Sequence, residues 1–116
     1  MKILIVDDSL GIARAIEALV APEGHQVVKA IDGFEALSVF QSEKPDFVFM
    51  DIDMPALDGY KTTQLIRSQS GVPIYFLSSN SSIFDEAKAE LVGGTGFISK
   101  PFTKESILKA LEKYLR

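Results

Sequence analysis

Five short, mostly apolar runs punctuate the chain: Ile3 to Val6, Gln26 to Ala30, Phe47 to Met50, Ile74 to Leu77 and Gly96 to Ser99. Between them lie longer segments whose apolar residues recur three and four positions apart. Short continuous runs suit strands covered on both faces, and helical periods between them mark βα units around a parallel sheet. The pattern therefore predicts an α/β protein with five strands and five helices.

The first helix is expected from about Ser9 to Ala21, with Ile12, Ala15, Ile16, Leu19 and Val20 on its inner face and Pro22 and Gly24 closing it. In the second, Asp32 is the expected N-cap, Glu35 its capping-box partner, and Ala36, Leu37 and Phe40 face inward. The third follows Asp58-Gly59 and turns Thr62, Leu65 and Ile66 inward. The fourth has the weakest pattern: it follows the serine-rich run from Ser78 to Ser82, carries Ile83, Ala87 and Leu91, and is interrupted by Gly93-Gly94-Thr95-Gly96. The fifth starts near Thr103, is expected to bury Ile107, Leu108, Leu111 and Leu115, and runs to Arg116.

A chain of 116 residues, 47% apolar, can bury one core and is too short for two ordinary domains, so residues 1–116 read as a single domain. No linker, repeat or low-complexity tail interrupts it. With no effector segment of its own, the domain is expected to act through another protein or to be cut from a larger one.

Composition narrows the chemistry. The absence of cysteine excludes disulfides, thiol catalysis and thiolate metal sites, and the single histidine, His25, cannot form an imidazole cluster. A formal charge of -4, with 16 acidic against 12 basic residues and no basic stripe, gives no footprint for direct nucleic-acid binding. The opening apolar run reaches Asp7 and Asp8 too soon for a membrane span or a signal peptide, which makes the cytoplasm the expected location.

The informative residues stand where the runs end. Asp7 and Asp8 close the first run and Asp51 closes the third, with Asp53 just beyond. If those strands are adjacent and parallel, their carboxylates meet at the carboxyl edge of the sheet, where open α/β folds bind ligands. Such crowding is unfavourable without a cation, and Mg²⁺, satisfied by oxygen ligands, water and a phosphate oxygen, suits it. Asp8 and Asp51 are the preferred direct ligands, with Asp7 acting through water and Asp53 through its backbone carbonyl. Mn²⁺ is the alternative ion.

An aspartate can also be a nucleophile, and Asp51, ending the expected central strand, is the best placed to attack a phosphoryl donor. Ser78 closes the fourth run and Lys100 the fifth, so both are expected at the same crevice as donors to phosphoryl oxygens. Pro101 favours an extended Lys100. Each position has a plainer explanation: a helix or turn cap for Ser78, a solvated terminal lysine for Lys100.

Taken together, Asp7-Asp8, Asp51 with Asp53-Met54-Pro55 and Asp58-Gly59, Ser78, and Lys100-Pro101-Phe102 resemble the receiver domains of two-component response regulators over essentially the whole chain. The resemblance implies a flavodoxin-like, doubly wound (βα)5 fold with strand order 2-1-3-4-5. It implies that Asp51 takes a phosphoryl group from a kinase phosphohistidine, that Asp8, Asp51 and the Asp53 backbone hold Mg²⁺, and that the domain catalyses its own phosphorylation and dephosphorylation. It also assigns a switch hydroxyl to Ser78 and a switch aromatic to Phe97, although core packing alone would explain Phe97.

By the same resemblance, the output face comprises the fourth helix, fifth strand and fifth helix. The partners are a chemosensory-type histidine kinase and a downstream effector protein, and the receiver is a monomer or a weak phosphorylation-dependent dimer. Ala30 to Leu37, Leu77-Ser78-Ser79 and Ile83 to Lys88 further resemble stand-alone receivers controlling type IV pili and twitching motility. Asn80 occupies a position where the family tunes hydrolysis, and Phe97 lacks a tyrosine hydroxyl. The alternatives are a phosphorelay intermediate or phosphate sink, a receiver fragment of a DNA-binding regulator or hybrid kinase, and a flavodoxin. The last is disfavoured because Asp7-Asp8 would repel a flavin phosphate.

Overall fold

A computed structural model describes residues 1–79 and 83–115, with Ile83 and Phe84 described through the backbone alone. In chain order the elements are β1 (Lys2–Val6), α1 (Leu10–Val20), β2 (Gln26–Ala30), α2 (Gly33–Glu43), β3 (Phe47–Asp51), α3 (Gly59–Arg67), β4 (Ile74–Ser78), α4 (Ile83–Leu91), β5 (Gly96–Ser99) and α5 (Lys104–Glu112). The five strands form one parallel sheet in the order β2-β1-β3-β4-β5, the expected topology. Asn80 and Arg116, both singled out above, lie outside the described residues.

Alternation along the strands divides the core into two layers. Leu4, Val6, Val48, Met50, Ile74 and Phe76 meet Ala36, Phe40, Tyr60, Ile66 and Ala89 from α2, α3 and α4. Ile3, Ile5, Phe47, Phe49, Leu77 and Ile98 meet Ala13, Ile16, Val20, Ile107, Ala110 and Leu111 from α1 and α5. Every residue of β3 is buried, so its continuous apolar run reflects a central strand covered on both sides.

Four helices begin with a side-chain cap. Ser9 accepts from the Ile12 N–H, Asp32 from Glu35, Asp58 from Lys61 and Thr103 from Ser106. These bonds satisfy otherwise orphaned helix donors and fix where each of the four helices starts. Asp32 caps as expected, but Glu35 reaches one residue farther back than a capping box requires, accepting from Ile31 N–H at 3.2 Å. The complete box belongs to Thr103 and Ser106.

Several expected inner faces are rotated. Ala13 is buried and Ala15 exposed; Thr63 is buried and Leu65 exposed. In α4, Ala89 is buried, whereas Ala87 is exposed and Leu91 is 86% exposed; the expected inward Ile83 lies outside the described side chains. At the end of the chain α5 stops at Glu112, leaving Leu108 half-buried and Leu115 exposed, while Ala110 packs inside. The cause is common to all four helices. Close approach to the sheet favours a small or short side chain at the point of contact, and an apolar period does not distinguish that position from its flank.

Candidate functional site

At the carboxyl edge, the neighbouring strands β1 and β3 deliver Asp7, Asp8 and Asp51 to one place. One oxygen from each lies within 4.8 Å of the others. Asp7 and Asp51 are buried, while Asp8 is open to solvent. The cluster therefore has a dry base and a wet mouth.

The base is organised by Lys100, whose ammonium group donates to Asp7 Oδ2 at 3.1 Å and Asp51 Oδ1 at 3.3 Å. Asp7 is engaged through both oxygens, since its Oδ1 accepts from the Ser9 N–H at 2.8 Å. That bond orients the Asp7 carboxylate toward Lys100 and leaves the outer side of the cluster to Asp8 and Asp51. Backbone pairing brings Lys100 there: its N–H donates to the Ser78 carbonyl at 2.7 Å, one step beyond the β4–β5 ladder. The Lys100–Pro101 peptide is cis.

Electrostatics mark Asp51 as the unusual carboxyl. Burial raises its pKa from 3.8 to about 6, repulsion from Asp7 adds to the rise, and Lys100 and the Asp53 backbone N–H oppose it. Burial alone would depress the Lys100 ammonium, but attraction to Asp51 and Asp7 outweighs that effect and raises its pKa. The pair is held by charge in a pocket that resists charge.

The remaining candidates surround this base. Ser78 is buried at the end of β4, beside the β3 strand that carries Asp51. Asp53 is exposed immediately beyond β3. Phe97 pairs with Phe76 across β4 and β5 and is half-buried against the α2–α4 layer, away from the carboxylates. Gly59 lies so close to the Asp51 carbonyl that an added Cβ would collide with it, and its N–H donates to Ile52 O at 3.1 Å. The Asp58-Gly59 signal thus specifies a tight entry into α3 behind the reactive carboxyl.

Sequence reasoning missed Tyr60 and Arg67. Tyr60 donates from its hydroxyl to the Asp85 carbonyl at 3.3 Å. Arg67 donates from Nε to Gly93 O at 2.7 Å, from Nη1 to Ser70 O at 3.2 Å and from Nη2 to Thr95 Oγ1 at 3.4 Å. Both tie α3 to neighbouring segments, and backbone acceptors leave no residue pattern to find. The only available signal was an arginine at the end of an otherwise amphipathic helix.

The donor set fits a hard divalent cation: hard carboxylate oxygens converge, one carboxylate faces water, and no sulfur or imidazole competes. Among the described residues no helix is long and apolar enough to cross a membrane.

Comparison with known proteins agrees with this geometry. Residues 3–112 match the response regulator receiver domain family. Protein PilG of Pseudomonas aeruginosa is 41% identical over 99% of this chain and 87% of its own length. A probable transcriptional regulator, ycf27 of Cyanophora paradoxa, is 37% identical over 99% of this chain. The chain spans about half the length of that regulator, 48%. Among solved structures, chemotaxis protein CheY4 of Vibrio cholerae superposes with a TM-score of 0.92 at 34% identity, covering 98% of both chains. The order of the strands, the acidic edge and these matches lead to one conclusion: the chain belongs to the response regulator receiver domain family.

Proposed function

We propose that residues 1–116 act as one phosphoacceptor switch in which Asp51 takes a phosphoryl group from the phosphohistidine of a histidine kinase. The observation that carries this reading is the buried Asp51 carboxylate bridged to Asp7 by Lys100, at the dry base of a three-carboxylate cluster. An Asp51 oxygen forms the new bond to phosphorus as the bond from phosphorus to the imidazole nitrogen breaks, and the imidazole takes up a proton. Asp8, Asp51 and the Asp53 carbonyl would hold Mg²⁺, with Asp7 acting through water; bound there, the ion offsets negative charge on the transferring oxygens.

The chain's own groups prepare the exchange. At rest, Lys100 compensates Asp7 and Asp51. Once Asp51 is phosphorylated, the ammonium group transfers its attraction to a phosphoryl oxygen, and the Ser78 hydroxyl donates to another. Displacement of Ser78 from its resting packing gives Phe97 room to turn inward, which remodels the face made by α4, β5 and α5. Water attack on the acyl phosphate resets the switch, so the receiver catalyses its own dephosphorylation.

The similarity to PilG and CheY4 supports a chemosensory-type kinase as donor and a protein effector at that face. A type IV pilus or twitching-motility pathway, a cytoplasmic location and a monomer that at most dimerises weakly when phosphorylated complete the proposal.

Intact-mass measurement after incubation with acetyl phosphate tests the chemistry. One phosphoryl adduct is expected in the native chain with Mg²⁺, and none in Asp51→Ala or after chelation. An adduct on another residue, or one indifferent to chelator, overturns the assignment.

A further inference from the structure

The sheet has two edge strands, and they are finished differently. β2 carries the exposed Lys29, whose ammonium group donates to Glu17 at 2.6 Å, the kind of charged guard that discourages a further strand. β5, Gly96-Phe97-Ile98-Ser99, has no charged residue and pairs only with β4, so among the described residues no strand covers its outer edge. One margin is guarded and the other is bare.

Two grooves flank the bare strand, one on each face of the sheet. Toward α5 lies a groove of about 450 Å³, floored by Tyr75, Ile98 and Ala110 and rimmed by the exposed Lys109 and Lys113. Gly96 makes that floor possible, because a Cβ there would overlap the Tyr75 ring. Toward α4 lies a second groove, of about 300 Å³, lined by Ala89 and the exposed Glu86 and Glu90. Among the described residues none of these four charged groups is in a salt bridge. Phe97 borders both grooves. β5 therefore separates a basic channel from an acidic one.

We infer that β5 receives an extended segment of a partner protein as a sixth strand, in which acidic side chains facing α5 alternate with basic side chains facing α4. A strand supplies that alternation, since its successive side chains point to opposite faces of a sheet. A docked helix would fill one channel and meet one sign of charge. Spacing agrees as well. Lys109 and the α5 C-cap Lys113, like Glu86 and Glu90 on α4, stand four residues apart, which on a helix is about 5–6 Å between Cβ atoms and close to the roughly 7 Å between alternate strand residues. Backbone pairing with β5 provides affinity, and the two channels select the partner.

This partner class deepens the proposed output role, on which its use in signalling rests; the bare edge and the opposed channels do not depend on Asp51. Amide NMR titration and hydrogen exchange with a capped synthetic peptide test the strand addition. In the peptide two glutamates alternate with two lysines between flanking valines; a control of the same composition groups the glutamates together and the lysines together. The alternating peptide is expected to shift and protect amides of β5, to leave those of β2 unchanged, and to bind roughly 10-fold more tightly than the control. Lys109→Glu with Lys113→Glu should weaken it roughly 10-fold, and Glu86→Lys with Glu90→Lys likewise. Reversing all four should restore binding, because a one-residue slip of the peptide exchanges its two faces. No protection in β5, equal binding of the two peptides, or a fourfold reversal as weak as a double one overturns strand addition.

Repeating the titration with beryllofluoride and Mg²⁺ tests the link to signalling. Because Phe97 borders both grooves, its inward turn clears the strand and is expected to raise peptide affinity roughly 5-fold or more. An unchanged or lowered affinity, with the Asp51 amide shifted by bound beryllofluoride, refutes control of this edge by Asp51 and leaves strand addition standing. Failure of beryllofluoride to bind at Asp51 would instead refute the proposed switch.

Discussion

Lys100 and Arg67 are both cations drawn partly into the protein, at opposite edges of one sheet, and their acceptors differ in kind. Lys100 rests on two carboxylates, Asp7 and Asp51. Arg67 rests on two carbonyls and a hydroxyl, and burial depresses its pKa. A carbonyl has no charge to exchange, so the Arg67 contacts are permanent fastenings. Carboxylates can trade one cation for another or become neutral, so the Lys100 contacts are replaceable. The same elementary interaction thus builds structure at one edge and leaves chemistry available at the other.

The largest expected effect breaks the fastening. Arg67→Met should lower unfolding free energy by about 3 kcal/mol, because it strands carbonyl acceptors and removes a charge-assisted donor. Urea denaturation should give the same loss with and without Mg²⁺. Restoration by Mg²⁺ would show that the two edges are not independent.

Lys100→Met should cost about 2 kcal/mol in chelator, since it leaves two partly desolvated carboxylates facing each other. Here millimolar Mg²⁺ should recover most of the loss by binding the folded state. If Mg²⁺ fails to recover it, the cluster does not accept a replacement cation.

An effect of similar size is a pH dependence. The Asp51 pKa is raised in the folded protein from 3.8 to about 6, so the folded state binds that proton more tightly than the unfolded state does. The resulting stability is fully present below about pH 4 and is lost as pH rises through about 6. Asp51→Asn escapes that loss. In chelator it should therefore gain about 2 kcal/mol relative to the native chain between pH 4 and pH 8, measured by denaturant midpoints. A flat difference would mean that the buried carboxyl is not strained by its surroundings.

The comparison also explains what the sequence could reveal. Strands were legible because β1 and β3 are buried on both faces and are written almost entirely in apolar residues. Asp7, Asp8 and Asp51 were legible because charge directly after such a run has few structural uses, and parallel neighbours must bring those ends together. Helical faces were less legible. Choosing Ala13 over Ala15, or Ala89 over Ala87, depends on how closely each helix approaches the sheet. Arg67 and Tyr60 were missed because their main acceptors are backbone carbonyls, which every residue possesses. The Lys100 pairing spans 93 residues to Asp7 and was reached only through strand order.

Gly33 carries a practical consequence. A Cβ at that position would strike Thr62 and Leu57, so α2 and the start of α3 behave as one block. Because the chain contains no cysteine, a single thiol introduced by Ser38→Cys on exposed α2 would carry a dye on immobile ground. Second dyes through Glu90→Cys or Glu86→Cys would sit at two exposed positions along α4. Paired fluorophores could then report the angle of one helix against a built-in ruler.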